Sequence, residues 1–440
     1  MPYYRAVGLI PRKRHTQFHR PDGGLYAEEL MGVEGFSAES ALLYHRHPPT
    51  AILDSAVWET PGDAPTTANR PLLPRHLATH KLDSGPADAV TGRQLLLGNG
   101  DVRIGYVAAT VPSPLYRNAV GDECVYVEAG TGVVETSFGA LAVGAGDYVV
   151  IPTSTIHRWL PKGPDPLRLL TIEATGHIGP PKRYLSAKGQ HLESSPYCER
   201  DLRGPTEPLL VDDFGVIGDA EAAAATDAAR TSSGTGDLGW VSDSDVARAQ
   251  GISPSDPGVP GPRGVEVLVR HRAGGSRVTY ARHPFDVVGW DGCLYPYVFN
   301  IGDFEPITGR VHQPPPVHQT FEGPNFVICS FVPRKVDYHP QAIPVPYNHH
   351  NVDSDEVLFY TGGNYEARRG SGIGQGSISL HPAGLTHGPQ PGAVECSLGA
   401  ESFDELAVMV DTFRPLELGV AAAACEDPGY AWTWAGGRPA

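Results

Sequence analysis

One pattern of residues occurs twice in the chain with the same spacing, and this repeat restricts the possible folds more than any other feature. The first part of each copy has the form Tyr/His-x-Asn-x4-Glu-x6-Gly. The second part has the form Gly-x5-Pro-x4-His. The first copy extends from Tyr116 to His157 and the second from His349 to His387. Two copies of one pattern indicate an internal duplication, and therefore two similar domains.

Short alternating apolar runs between glycine-containing turns predict that these domains consist of β-strands. Examples are residues 103–107, 124–127, 147–151, 265–270 and 326–331. The composition agrees, because 52 glycines and 42 prolines among 440 residues, of which 19% are charged, favour turns over long charged helices. The chain is therefore predicted to be all-β.

The second copy brings together residues that suit a metal ion. His349 and Asn351 alternate along a strand, so they face the same side, and the turn after Asn351 returns Glu356 to that wall. The second part of the pattern then delivers His387. Two imidazoles and one carboxylate suit Fe(II) with positions left open for a substrate and O2. His350 is a rival for the first ligand position, although strand alternation and the spacing to Glu356 favour His349.

Both copies resemble the two signature motifs of the cupin superfamily, and the resemblance implies a bicupin, with two antiparallel β-barrel or jelly-roll domains. Asn351 stands where cupins with four protein ligands have a second histidine, which leaves three donors. In the first copy Tyr116 and Asn118 occupy both histidine positions. Glu123 and His157 alone make a poor iron site, so the N-terminal domain is predicted to be metal-free.

Changes in composition divide the chain into three predicted parts. Residues 1–215 form a loop-rich N-terminal arm and the metal-free cupin domain, and residues 263–440 form the Fe-binding cupin domain. Between them, residues 216–262 are rich in Ala, Pro and Gly, which is typical of a linker or insert. The last two dozen residues are rich in Ala, Gly and Trp and are expected to be poorly ordered.

Longer motifs resemble the homogentisate 1,2-dioxygenase family, especially its shorter bacterial members. They include PRKRHTQF, HPFDVVGWDG, PPPVHQTFEG and SLHPAGLTHGP. The resemblance implies that His349, Glu356 and His387 hold Fe(II). It also implies that His312 is the catalytic base, and that Tyr365 and His387 contact the substrate. The implied reaction converts homogentisate and O2 to maleylacetoacetate, in tyrosine and phenylalanine catabolism, and the implied assembly is a homo-oligomer.

Charge and hydropathy exclude several classes of partner. A net charge of -16 argues against binding to nucleic acid or to an anionic membrane, both of which require clustered Lys and Arg. The chain has no apolar run long enough for a signal peptide or a membrane span, and its six cysteines form no CxxC pair. We therefore expect a cytoplasmic enzyme whose partners are a small aromatic acid and O2.

Several alternatives remain open at this stage. The substrate could be another hydroquinone-type acid such as gentisate, and the protein could instead be a non-catalytic metal-binding bicupin or a zinc sugar-phosphate isomerase. His318 competes with His312 for the role of base. His381 is a candidate for a residue that orients a metal ligand. His45 and His47 are expected to be structural, because no carboxylate is close to them in the sequence.

Overall fold

The structure of the protein is a computed structural model that describes residues 3–60, 64–82, 85–211 and 264–437. The linker or insert predicted at residues 216–262 lies outside the described residues.

The described residues contain twenty-eight strands, most of them short. The strands are β1 (Arg5–Gly8), β2 (Ala27–Gly32), β3 (Ser40–His45), β4 (Ile52–Trp58), β5 (Thr66–Ala68), β6 (Arg75–Ala78), β7 (Gln94–Gly98), β8 (Val102–Ala109), β9 (Leu115–Asn118), β10 (Glu123–Ala129), β11 (Thr131–Thr136), β12 (Gly139–Gly144), β13 (Asp147–Ile151), β14 (Ile156–Lys162), β15 (Leu167–Ala174), β16 (Leu202–Arg203), β17 (Val265–His271), β18 (Gly274–Tyr280), β19 (Val287–Gly292), β20 (Tyr297–Asn300), β21 (Gln319–Gly323), β22 (Phe326–Phe331), β23 (Arg334–Lys335), β24 (Asp355–Gly363), β25 (Ser377–His381), β26 (Ser402–Phe403), β27 (Glu405–Thr412) and β28 (Glu417–Gly419).

Helices are few and short in the same residues. The α-helices are α1 (Ala393–Ser397) and α2 (Ala422–Cys425). The 3-10 helices are Glu34–Phe36, Thr79–Leu82, Lys182–Tyr184, Glu199–Asp201, Ile301–Asp303, Pro315–His318, Glu366–Arg368 and Tyr430–Ala435. The all-β prediction is confirmed.

Three large sheets lie in layers. The seven- and nine-stranded sheets make up the N-terminal half, and the six-stranded sheet makes up the C-terminal half. The seven-stranded sheet has the order β12-β11-β14-β9-β17-β18-β4, the nine-stranded sheet β16-β20-β13-β10-β15-β8-β7-β28-β5, and the six-stranded sheet β21-β22-β27-β24-β25-β6. Alternate residues of a strand face opposite sides, so the central nine-stranded sheet can bury both faces. In β10, Val125 packs toward the seven-stranded sheet, while Cys124 and Tyr126 pack toward the six-stranded sheet.

Strand pairing crosses the predicted domain boundary at residue 263 in both directions. β17 pairs in parallel with β9 of the N-terminal half, and β18 pairs with β4. In the opposite direction, β6, which comes from the N-terminal part of the sequence, pairs with β25 of the C-terminal half. The division into residues 1–215 and 263–440 stays a prediction, and each half includes strands from the other part of the sequence.

The N-terminal arm packs on its own chain. β1, β2 and β3 form a four-stranded sheet with β19, and a separate apolar cluster around Trp290 fills the space beneath it. The chain therefore uses its first segment to cover strands that lie more than two hundred residues later.

The C-terminal segment is ordered, contrary to the expectation from its composition. β28, α2 and the 3-10 helix Tyr430–Ala435 lie between residues 417 and 435, and Tyr430 is fully buried. Although the segment is rich in Ala and Gly, its aromatic side chains Tyr430, Trp432 and Trp434 supply apolar surface to bury, and the expectation of poor order did not take this surface into account. Among the described residues, no helix has the length and apolar character that a membrane span requires.

Candidate metal centre

Strand alternation places Glu356 on the inner wall of the C-terminal half. Along β24, Glu356 shares a face with Leu358 and Tyr360, and all three line a cavity. The intervening Val357 and Phe359 point the other way, into the core shared with the nine-stranded sheet. The carboxylate is therefore held on a rigid strand and faces the cavity.

A short backbone ladder places the two histidines beside this carboxylate. The N–H of His349 donates to the carbonyl of His387 and the N–H of His387 donates to the carbonyl of His349, both at 2.8 Å. Directly opposed residues of an antiparallel pair project to the same side. Gly384, with φ of +82°, adopts the left-handed conformation that the turn before His387 requires.

The three predicted ligands converge. Nε2 of His349 lies 3.6 Å from Oε2 of Glu356, and Nε2 of His387 lies 3.4 Å from Oε1. One donor atom from each residue lies within 4.8 Å of the others, and this is the only such group of three among the described residues. His350, the rival first ligand, is exposed and lies near Thr386 instead.

The hydrogen bonds of the two histidines leave the correct nitrogens available. Nδ1 of His349 lies 3.0 Å from the carbonyl of Tyr347, and Nδ1 of His387 lies 3.2 Å from the carbonyl of Leu385. Each Nδ1 must therefore carry the proton, so each Nε2 presents a lone pair. Nε2 of His387 is buried and makes no hydrogen bond within the described part of the chain. A metal ion would satisfy this atom, so the residues present fit a divalent metal site.

Glu356 is held in its charged form by its neighbours. Burial alone would raise its pKa, but the surrounding imidazole rings of His349, His381 and His387 hold the pKa well below its ordinary value. Because its pKa is lowered, Glu356 is already a carboxylate and can bind a metal ion without first losing a proton.

His381 links this carboxylate to the C-terminal segment. Its Nδ1 lies 3.0 Å from Oε1 of Glu356, and its Nε2 lies 3.0 Å from the hydroxyl of Tyr430. Burial, together with the charge of Arg368, lowers the pKa of His381 to about 3, so the ring is neutral. Nδ1–H then donates to Glu356, and Nε2 accepts from Tyr430. The ring also stacks on His387, with centroids 4.3 Å apart.

A further carboxyl group, Asp411, lies directly across from Glu356. The two residues are register partners between β24 and β27, so they share a face. Burial and the charge of Glu356 raise the pKa of Asp411 well above its ordinary value, and its Oδ1 makes no hydrogen bond within the described residues. The sequence pattern gave no reason to single out this residue.

The cavity beside the three ligands contains both histidines proposed as the base. It has a volume of about 130 Å³, and its walls include His312 and His318 as well as His349 and Glu356. Nδ1 of His312 lies 3.8 Å from Oδ2 of Asp337. Burial lowers the pKa of His318 to about 3, with the charge of Arg334 adding to the effect.

Tyr365 is a predicted site residue that the structure does not bring to the cavity wall. Its ring packs against Tyr360 at a centroid distance of 4.9 Å, within the apolar cluster behind that wall. Burial raises the pKa of its hydroxyl, which makes no hydrogen bond of good geometry within the described residues. Contact of Tyr365 with a substrate therefore stays a prediction.

Comparison with known proteins finds a cupin domain in the N-terminal part of the chain. The family described as Cupin domain matches residues 108–173. A protein of Saccharolobus solfataricus with the name "Putative dioxygenase" is 36% identical over 440 residues, which cover 99% of each chain. The chain belongs to the family of that protein.

Two more distant matches extend the comparison. A protein of Emericella nidulans named Homogentisate 1,2-dioxygenase is 24% identical over 422 residues, which cover 88% of this chain and 80% of that one. A solved structure, a Cupin 2 conserved barrel domain protein from Leptotrichia buccalis, aligns over 78% of this chain and 99% of that chain at 9% identity, with a TM-score of 0.30.

The matched cupin region contains the first copy of the pattern, where charged side chains surround Glu123. Arg93 donates to Glu123 at 2.9 Å, as does the amide of Asn118, and a second bond joins Arg93 to Glu173 at 2.9 Å. Burial would raise the pKa of Glu123, but the guanidinium of Arg93 holds it at about 2. His157 lies 4.0 Å from the same carboxylate. In this cupin half, a guanidinium therefore supplies the positive charge beside the glutamate.

His45 and His47 lie beside carboxylates, so the reason for expecting a structural role was wrong. Nδ1 of His45 lies 2.6 Å from Asp286 and its Nε2 lies 3.0 Å from Glu29. These partners come from distant parts of the sequence, and spacing along the chain could not reveal them. The pair of ion contacts ties the arm to the segment before β19.

Proposed function

We propose that the protein is an Fe(II)-dependent ring-cleaving dioxygenase that converts homogentisate and O2 to maleylacetoacetate. The observation that carries this proposal is the convergence of His349, Glu356 and His387, of which His349 and Glu356 line a cavity that also contains His312. Both relatives described above carry dioxygenase names, which supports an oxidoreductase of the cupin type. The homogentisate substrate is supported by the more distant relative and by the motifs shared with its family.

His349, Glu356 and His387 would hold the ferrous iron, which would supply the redox chemistry for the reaction of an aromatic ring with O2. The protein keeps all three donors in the form that a metal requires. Glu356 is charged because Nδ1–H of His381 donates to it, and the Nε2 atoms of His349 and His387 are unprotonated because each Nδ1 donates to a carbonyl.

His312 is placed to accept the proton of a ring hydroxyl. Its Nδ1 faces Asp337, so Nε2 is the atom that can take the proton, and the carboxylate of Asp337 stabilises the imidazolium that results. About a third of the side chain is exposed, at 36%, which gives the proton a route to solvent. His318 is a weaker candidate, because a pKa of about 3 makes its ring a poor proton acceptor near neutral pH.

The rest of the cavity suits an aromatic ring. Leu358, Met409, Phe331 and Phe403 supply apolar wall against which a ring can pack, beside a larger number of polar and charged lining residues. Ligand cavities commonly combine an apolar lining with a few polar groups that set orientation. His387, which lies at the ligand cluster, is the residue that would border both metal and ring.

The test is to load the protein with Fe(II) without air and then to add air and homogentisate, while O2 uptake and product absorbance are recorded together. We expect O2 uptake with formation of the ring-opened product. Glu356→Ala should abolish iron retention, whereas His312→Ala should keep its iron and turn over on the order of 10²–10⁴ times more slowly.

The outcomes separate the alternatives. Uptake with gentisate but not with homogentisate would replace the substrate and keep the chemistry. Retention of zinc rather than iron would favour the isomerase, and no retained metal would favour a non-catalytic bicupin. Loss of iron from the His312 variant would remove His312 from the role of base.

A homo-oligomer is part of the same proposal. The arm exposes several large apolar side chains, including Leu9, Leu30 and Phe36, which are 60%, 51% and 64% exposed. Apolar side chains grouped on one segment favour an interface with a second copy of the chain.

A further inference from the structure

Arg368 is a buried cation at the wall of the candidate active-site cavity. It ends the 3-10 helix Glu366–Arg368 in the loop after β24, and only 8% of the residue is exposed. Its Nε donates to the hydroxyl of Tyr360 at 3.1 Å, and its Nη1 donates to the carbonyl of Gly388 at 2.6 Å. Both acceptors are neutral. Nη2 makes no hydrogen bond within the part of the chain that the structure describes.

No carboxylate neutralises this guanidinium at close range. Within the described residues, no carboxylate oxygen lies within 4.0 Å of Arg368, whereas Arg334 on the same cavity is paired with Glu405 at 3.1 Å. Glu356 attracts Arg368 only from a greater distance, and its oxygens are occupied by three histidines. A buried charge is strongly unfavourable unless it is paired. The protein therefore leaves one buried positive charge to be neutralised in this cavity by something other than its own described side chains.

We propose that Arg368 binds the carboxylate of the substrate and so selects aromatic acids over neutral hydroquinones. This inference rests on the proposed function and deepens it, because it assigns the carboxylate-recognising residue of the same site. A guanidinium suits this role, since its planar N–H donors match the two oxygens of a carboxylate. Tyr360 and Gly388 hold two of its nitrogens in place, which leaves Nη2 to donate. The ring acid would then be fixed at two points, by its carboxylate at Arg368 and by its hydroxyl near the three ligands.

The experiment measures binding without turnover. Fe(II)-loaded wild-type protein, Arg368→Met and Arg334→Met are titrated without air by calorimetry with homogentisate and with its methyl ester, in which the carboxylate is neutral. Wild type should bind the acid on the order of 100-fold more tightly than the ester, because truncating one partner of a buried charge pair costs about that factor. Arg368→Met should lose this preference by weakening binding of the acid alone. Arg334→Met, which removes a paired arginine from the same cavity, should keep it.

Three outcomes would overturn the inference: equal binding of acid and ester by wild type, a preference for the acid that survives in Arg368→Met, or loss of the preference in Arg334→Met. If Arg368→Met fails to fold or to hold iron, Arg368→Lys replaces it. That variant keeps the charge without the planar donor pair, and we expect an intermediate preference for the acid. A full preference or none in Arg368→Lys would contradict the role.

The proposed function can fail separately from this assignment. If wild type prefers the acid through Arg368 but consumes no O2 with it, ring cleavage is wrong and carboxylate recognition stands. If O2 is consumed equally with the acid and the ester, and both bind equally, ring cleavage stands and the role of Arg368 is wrong.

Discussion

At the scale of single residues, the candidate metal centre is organised by atoms that do not face the metal position. Nδ1 of each ligand histidine lies near a backbone carbonyl two residues earlier. Glu356 is oriented by His381, which is oriented in turn by Tyr430. Partners of this kind fix the tautomer and direction of ligands, and their loss typically costs 10- to 100-fold in metal affinity.

Tyr430→Phe should therefore weaken iron binding by about 10- to 100-fold, although Tyr430 is not a ligand. Without the hydroxyl, Nε2 of His381 loses its donor, and the neutral ring is free to move its proton from Nδ1 to Nε2. His381 would then stop donating to Glu356. Competition between the protein and a chelator for Fe(II) measures the affinity.

Tyr295→Phe is the matched control, because Tyr295 is also fully buried and its hydroxyl also donates a hydrogen bond, to the carbonyl of Tyr3 in the arm. Its iron affinity should equal that of wild type. Equal losses in the two variants would show a general effect of destabilisation and would contradict the relay from Tyr430 to Glu356.

The sequence was sufficient to predict that the three candidate ligands converge, but it did not predict the residues that support them. His349, Glu356 and His387 belong to a spaced pattern within one local stretch, so strand alternation and turns bring them together. Arg368 and Tyr430 have no such pattern, and their roles depend on burial and on how the C-terminal segment packs. Neither the burial of these side chains nor the packing of the C-terminal segment can be predicted from a short stretch of sequence.

At the scale of elements, strands were predicted more reliably than the way in which they assemble. Alternating runs correctly predicted β8, β10, β13, β17 and β22, because successive side chains of a strand point to opposite faces, and apolar residues therefore recur at every second position. The same runs carry little information about partners. The parallel pairing of β17 with β9 could not be anticipated from the composition of the segment before β17.

His45 gives the docking of the arm a pH dependence. Burial would lower its pKa, but the hydrogen bonds that His45 donates to Asp286 and Glu29 raise it to about 9, and Arg117, His47, Arg282 and His283 are further charged or titratable groups near this cluster. A raised pKa stabilises the folded state fully below the unfolded value of about 6.5, and this contribution is lost as the pH rises through about 9. The shift corresponds to roughly 3 kcal/mol.

His45→Gln should therefore melt below wild type at pH 6, and the difference between the two melting temperatures should shrink as the pH approaches 10. Thermal unfolding in matched buffers measures both proteins. His271→Gln, which removes an exposed histidine at the end of β17, should show no comparable trend. A difference for His45→Gln that stays constant from pH 6 to pH 10 would mean that the charge of His45 does not stabilise the arm.

At the scale of the whole molecule, the two halves share one apolar core. A single cluster of buried side chains includes Tyr126 and Tyr148 from the nine-stranded sheet and Phe321 and Phe359 from the six-stranded sheet. Hydroxyl contacts cross the same boundary, since Tyr148 lies 2.9 Å from the hydroxyl of Ser330. The duplicated half without the histidine ligands thus supports the back of the sheet that carries Glu356.

We expect this shared core to make the two halves unfold together. Tyr148→Ala removes a fully buried ring that contacts Phe321 and Phe299, and it should destabilise the protein by roughly 3–5 kcal/mol. Because the ring lies between the sheets, loss of iron from the C-terminal half should move to the same lower temperature as the loss of tertiary structure. Fluorescence and chelator-detected iron release, recorded in one thermal scan, measure the two events.

Val57→Ala, at a side chain that is 82% exposed on β4, should leave both unfolding and iron release unchanged. If Tyr148→Ala produced an early transition while iron release kept its wild-type temperature, the halves would be independent, and the N-terminal half would not support the candidate metal centre.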